Sequence, residues 1–199
     1  LPSSAVNFDI ANACLGFING MSLAATMIES GQIRYAVVVA GEDADEIQVN
    51  TIERLLLAES DRDGFMSEFA SLTLGSGSAA AVLGRADEHP EGHRILGGVT
   101  RAATEFHRLC VGSVDGMFTD AKALLKGGLD LVVHTHAIVK AVNLDASRVP
   151  TTFPHYGNIG PASVPITLVE EQASLRKGDR VLLMGVGSGL NTAMMELAW

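Results

Sequence analysis

The segment Asn12-Ala13-Cys14-Leu15-Gly16-Phe17 puts a thiol where residues 6–10, which read as an apolar strand, give way to a nearly uncharged stretch that reads as a helix. The first amides of a helix have no intrahelical partner, and the helix dipole adds partial positive charge there. Both favour thiolate, the nucleophilic form of cysteine. The competing reading is a buried structural cysteine, so the rest of the chain must decide. Were Cys14 acylated, the chemistry would need a thioester as acyl donor, a hole for a tetrahedral oxyanion, and groups that stabilise an enolate on a second substrate. The Cys14 N–H is one oxyanion donor. Gly185-Val186-Gly187-Ser188-Gly189, after a buried strand, allows a second main-chain approach, with Gly187 and Ser188 as the candidates. An ordinary strand-to-strand turn is the equal alternative. A phosphate loop is excluded because no Lys-Ser/Thr ending follows. Asn158, behind Gly157 at a helix start, could donate to a thioester carbonyl, or could simply cap the helix. His134, at the end of strand-like residues 129–133, is the histidine candidate, with His136 and His155 competing.

The elements around these residues read as α/β. Residues 14–30 are apolar on nearly every side, which puts that helix in the middle of a fold, and Ser30-Gly31 ends it. Residues 35–40 form a continuous apolar run, the pattern of a strand buried on both faces. Strand, helix and strand at this spacing predict a βαβ unit with a parallel sheet. Residues 42–68 are charged and irregular, with one helix around 52–58. Residues 74–78 turn into a strand at 79–83, and the polar connection 85–92 marks the boundary between halves. Beyond it come a strand at 95–101, helices at 120–126 and 137–142, an apolar helix at 162–172 and a buried strand at 181–184. Cys14 precedes Gly41 by 27 positions, and Asn158 precedes Gly185 by 27. That matched register predicts a duplicated βαβ element, residues 1–90 against 91–199, with Cys14 and Asn158 at equivalent helix starts facing one site.

A net charge of −9 argues against general nucleic-acid binding. Two cysteines, Cys14 and Cys110, make no disulfide framework, and the expected compartment is a reducing cytoplasm. No Cys/His cluster has zinc spacing, no apolar run is long enough to span a bilayer, and no metal or other cofactor is expected. The chain opens Leu1-Pro2-Ser3-Ser4 without an initiator methionine, which reads as truncation, processing or a start within a larger protein. A hydrolytic Cys–His enzyme lacks any local protease signature.

These motifs together resemble the thiolase superfamily, specifically the ketoacyl-acyl carrier protein synthase III type of condensing enzyme. The resemblance runs through residues 8–17, 30–31 with 35–41, 74–83, 156–165 and 185–189. The wording around residues 72–77 and 158–163 is most similar to the branch that joins two long-chain acyl thioesters head to head in olefin biosynthesis. The resemblance implies a thiolase-like αβαβα layered fold of two duplicated halves, here lacking the usual N-terminal portion, which in that branch carries a carboxylate reaching into a partner's site. It implies a Claisen condensation through an acyl-cysteine. Cys14 would be the nucleophile, His134 and Asn158 would polarise the extender thioester, and Gly187 would lie in the oxyanion turn. The family histidine stands farther before the asparagine than His134 does, and the region around residues 129–133 is compressed. Acyl-CoA or acyl carrier protein would be the substrate carrier. The expected assembly is a homodimer, or a complex with a chain supplying the absent portion. The rival class is a non-catalytic partner subunit that completes another chain's acyl tunnel.

Overall fold

The computed structural model describes residues 3–57, 61–113, 116–120, 122–124, 126–127 and 148–199. A 3-10 turn, Ala13–Leu15, runs directly into helix α1, Gly16–Glu29. A Schellman closure ends α1: the Gly31 N–H donates to the Ile28 carbonyl and the Gln32 N–H to the Met27 carbonyl, with Gly31 at φ 74°. Strand β1, Ala36–Glu42, follows, then helices α2, Asp45–Leu57, and α3, Arg62–Leu72. Two helices therefore occupy the stretch expected to be largely irregular. Asp61 caps α3 by accepting from the Gly64 N–H.

Strand β2, Gly77–Leu83, pairs antiparallel with β1. Strands β3, Arg94–Ala102, β6, Arg180–Gly187, and β7, Asn191–Ala198, form an antiparallel sheet in the order β3-β7-β6, and β4, Cys110–Ser113, pairs with β5, Gly116–Thr119. A short helix α4, Phe153–Tyr156, a 3-10 turn Gly160–Ala162 and helix α5, Ser163–Glu171, precede β6.

Helix α1 lies between the two larger sheets and touches β1 and β2 on one side and β7 on the other. Its side chains Phe17, Ile18, Met21, Ala24 and Ile28 join Leu15, Leu83, Ile159, Leu183, Met195 and Leu197 in one core. Each large apolar side chain buried this way contributes about 1.5–3 kcal/mol. Helix α5 likewise packs between β2 and β6. The layered α/β expectation holds, and α1 lies between two sheets; α5 is only half-buried, with Val169 exposed.

Several finer expectations do not hold. Residues 6–10 form no strand: Val6 is 77% and Phe8 53% exposed, and among the described residues the segment has no ladder partner. Apolar composition favours an extended chain, but only a neighbour's hydrogen bonds make a strand. Among the described residues the ladders are antiparallel where a parallel βαβ unit was expected, because residues 6–10 form no strand for β1 to pair with. Strand β1 is also not covered on both faces. Val37 and Val39, 54% and 66% exposed, share an open face with Val82 of β2. Ser22, Leu23 and Thr26 leave one side of α1 open as well. The expected strand at 129–133 and helix at 137–142 lie outside the described residues.

Candidate active site

The 3-10 turn carrying Cys14 and the 3-10 turn following Asn158 pack against each other, as the duplicated spacing implied. Asn12 has φ −146°, and its carbonyl accepts from the Leu15 N–H at 3.0 Å. Ala13 sits at φ 44°, a left-handed position costing a residue with a Cβ about 1–2 kcal/mol. That kink turns the chain sharply into α1 and leaves Cys14 half-buried, while Leu15 is wholly buried. The glycine turn presses on this kink. A Cβ at Gly187 would lie 3.1 Å from the Asn12 carbonyl oxygen and 3.2 Å from Leu15 Cγ, and one at Gly185 would lie 2.7 Å from Leu15 Cδ2. Residues 185–189 do join two strands, β6 and β7, and the same glycines bring that hairpin against the cysteine turn.

Asn158 is held by main chain. Its N–H donates to the Thr73 carbonyl at 2.8 Å, and its carbonyl accepts from the Gly75 N–H at 2.9 Å. This is a single parallel bridge between residues 74 and 158. The Asn158 Oδ1 accepts from the Gly160 N–H at 3.0 Å. Because that partner is a donor, the carboxamide oxygen must face it, and the Nδ2 group is left to donate elsewhere. This is the bond a capping asparagine makes, and it fixes the carboxamide with Nδ2 as its remaining donor group.

A cavity of about 1660 Å³ is lined by Cys14, Asn158, Gly187 and Ser188 together. It takes in Val37 and Val39 of the open face, and this uncovered side is why its volume exceeds the roughly 300–1,000 Å³ of closed small-ligand pockets. Its walls are mostly apolar, including Phe17, Leu23 and Val38. Such a space suits an acyl chain with its thioester head. His155 is exposed on α4 and does not line it, and His134 and His136 lie outside the described residues.

One electrostatic expectation is reversed. Burial pushes the Cys14 thiol up from its ordinary value, and the nearby Cys110 and Glu42 add to the rise. The Cys14 main-chain N–H pulls the other way, as a helix start should, but desolvation outweighs it. Glu42, also lining the cavity, is itself raised by burial.

Sequence reasoning passed over Glu42 and Cys110. The first stands at the C-terminal end of β1, where α/β sites open, which is a usable signal. The second has no local signal. It enters the cavity with Thr119, whose hydroxyl donates to its sulfur at 3.5 Å. A line of carboxamides, Asn191, Asn12 and Asn19, was also missed.

Residues 8–103 match the family model described as 3-oxoacyl-[acyl-carrier-protein] synthase III, and residues 132–199 match the model for the C terminal of 3-oxoacyl-[acyl-carrier-protein] synthase III. The acyl-CoA:acyl-CoA alkyltransferase of Xanthomonas campestris pv. campestris is 43% identical over 98% of this chain and 66% of its own length. The Shewanella oneidensis protein of the same name is 31% identical over 96% of this chain and 67% of its own. The chain thus spans about two thirds of the curated relatives it matches. A crystal structure of a cysteine-to-serine variant of Xanthomonas campestris OleA with bound lauric acid and lauroyl-CoA superposes with a TM-score of 0.89 and 41% identity, over 99% of this chain and 67% of that one. Residues 104–131 fall in neither family model.

Proposed function

With this chain a member of the 3-oxoacyl-[acyl-carrier-protein] synthase III family, we propose that it forms carbon–carbon bonds by Claisen condensation of acyl thioesters. The observation that carries the reading is the meeting of Cys14, Asn158, Gly187 and Ser188 in one large apolar cavity, at two helix starts packed on each other. The Cys14 sulfur attacks a thioester carbonyl, and the carrier leaves as its thiolate. The Cys14 N–H and an N–H of the 187–188 turn receive the oxyanion. A base removes the α-proton of a second acyl thioester, the resulting carbanion attacks the acyl-cysteine carbonyl, and the Cys14 sulfur leaves as thiolate. Asn158 Nδ2 donates to the enolate oxygen of that second thioester, with His134 as its proposed companion. The names of the two alkyltransferase relatives, acyl-CoA:acyl-CoA, favour CoA as the carrier of both reactants, and two plain acyl thioesters would join head to head without loss of carbon dioxide.

The halves are residues 1–90 and 91–199. The open face at Val37, Val39 and Val82 packs against a segment corresponding to the third of the relatives' length that these 199 residues do not span, whichever polypeptide carries it, and the assembly is a homodimer or a complex with another chain. Among the described residues no helix is long and apolar enough to cross a membrane, and the two free cysteines support a reducing, cytoplasmic setting.

Intact-protein mass spectrometry after incubation with acyl-CoAs of several lengths, lauroyl-CoA among them, tests this. The expected result is a mass gain of one acyl group that disappears in Cys14→Ala. No adduct at any length would overturn the catalytic reading in favour of a partner subunit that completes another chain's acyl tunnel.

A further inference from the structure

Asn12 occupies the cap position of the cysteine turn, yet its side chain does not cap it. Its Oδ1 accepts from Asn191 Nδ2 at 3.0 Å, and its Nδ2 donates to Asn19 Oδ1 at 2.6 Å. The residue before the kinked Ala13 is thus hung between two elements, one at each end of its carboxamide.

Both anchors are rigid. Asn19 is the fourth residue of α1, and its neighbours Ile18, Gly20 and Met21 are buried. Asn191 opens β7 and pairs with Gly187 across the hairpin. The preceding Leu190 is wholly buried and exchanges two main-chain hydrogen bonds with Ala103, at 2.8 and 3.3 Å. Gly189, at φ 127°, leaves the Asn191 carboxamide its room, since a Cβ there would lie 2.8 Å from Nδ2. One hydrogen-bonded line therefore ties the turn that holds the nucleophile to the hairpin that holds Gly187 and Ser188.

We propose that Asn191, Asn12 and Asn19 are positioning residues which fix the Cys14 turn against the 187–188 hairpin, so that the two main-chain donors and the sulfur keep one geometry. The turn has reason to drift without them, because Ala13 is in a backbone conformation it would otherwise leave. The proposal rests on the acyltransferase reading only for what the geometry is used for; the clamp itself is a matter of three side chains. The line can also run in reverse. If residue 191 were a carboxylate, Asn12 and Asn19 could each turn over, and both hydrogen bonds would survive with donors and acceptors exchanged.

The test uses two readouts on Asn12→Ala, Asn191→Ala, their double variant and Asn191→Asp. The first is the rate of Cys14 alkylation by iodoacetamide as a function of pH, which needs no acyl transfer. Loss of the clamp is expected to move its midpoint by at least about half a pH unit in both alanine variants. The second is acyl-Cys14 formation from lauroyl-CoA. At saturation it should slow about 100-fold in Asn191→Ala, with the half-saturating concentration changed less than about 2-fold. The double variant should be no slower than Asn12→Ala, because one clamp is broken once. Asn191→Asp, measured at a pH where the thiol is fully ionised, should recover most of the lost rate. Unchanged alkylation profiles in both alanine variants, or losses that multiply in the double variant, would overturn the clamp. If the native protein takes up no acyl group, the acyltransferase reading fails, and the alkylation profiles alone decide the clamp. Should Asn12→Ala fail to fold, the two residue-191 variants at the hairpin carry the same test.

Discussion

The turn at Cys14 is held by side chains, and the turn at Asn158 by main chain. On the cysteine side, Asn191 and Asn19 grip Asn12, and an alanine is kept at φ 44°. On the asparagine side, residues 73–75 and 158 exchange backbone hydrogen bonds, and glycines clear the way. A Cβ at Gly75 would run into the Tyr156 carbonyl oxygen, and one at Gly157, which sits at φ 69°, would lie 2.9 Å from the Thr73 carbonyl oxygen. The two turns therefore differ in what ties them: carboxamide side chains grip the first, against which Gly185 and Gly187 leave room, while backbone hydrogen bonds through residues 73–75 hold the second.

The largest expected effect tests the division of labour between these turns. Asn158→Ala should leave Cys14 acylation within a few-fold of native while condensed product falls about 100–1,000-fold, measured as product formation beside intact mass. An equal fall in both steps would put Asn158 in the first half-reaction and erase the contrast. Gly75→Ala comes next. It forces a carbonyl and a methyl into one space, so stability should drop by about 3 kcal/mol, with Tm falling roughly 6–12 °C in thermal unfolding. A native Tm would mean that the 74–158 bridge yields easily and is not the rigid member of the pair.

The smallest effect sharpens the electrostatics. Glu42 is one of the groups that raise the Cys14 thiol, so Glu42→Gln removes a negative charge that disfavours thiolate. The midpoint of Cys14 alkylation should move to lower pH. An upward shift would show that Glu42 does not act on the sulfur through its charge.

Cys14, Asn158 and the 187–188 turn were legible because each is announced by neighbours within a few residues: a helix start, a glycine before it, a strand ahead of it. The matched spacing of 27 residues even foretold that the two helix starts would meet. The β1 and β6 strands were legible for the same reason, as apolar runs bounded by glycine. What failed needed a partner to be named. Residues 6–10 look like a strand but have none to pair with among the described residues, and β1 looks doubly buried but shows Val37 and Val39 on an open face. The carboxamide line was invisible because Asn12 and Asn191 are 179 positions apart.

By itself the sequence singled out the atoms proposed to carry the chemistry, since a cysteine, a carboxamide and a flexible turn are properties of residue type and local spacing. The sign of the thiol's shift was decided only by the fold. A helix start lowers a cysteine's pKa through amides within its own turn. Desolvation raises it through atoms brought in from across the chain, and at Cys14 the second effect is larger. Tertiary packing likewise decided that Glu42 and Cys110 share the cavity, because proximity in space is set by how sheets and helices stack, and no short stretch of sequence contains it.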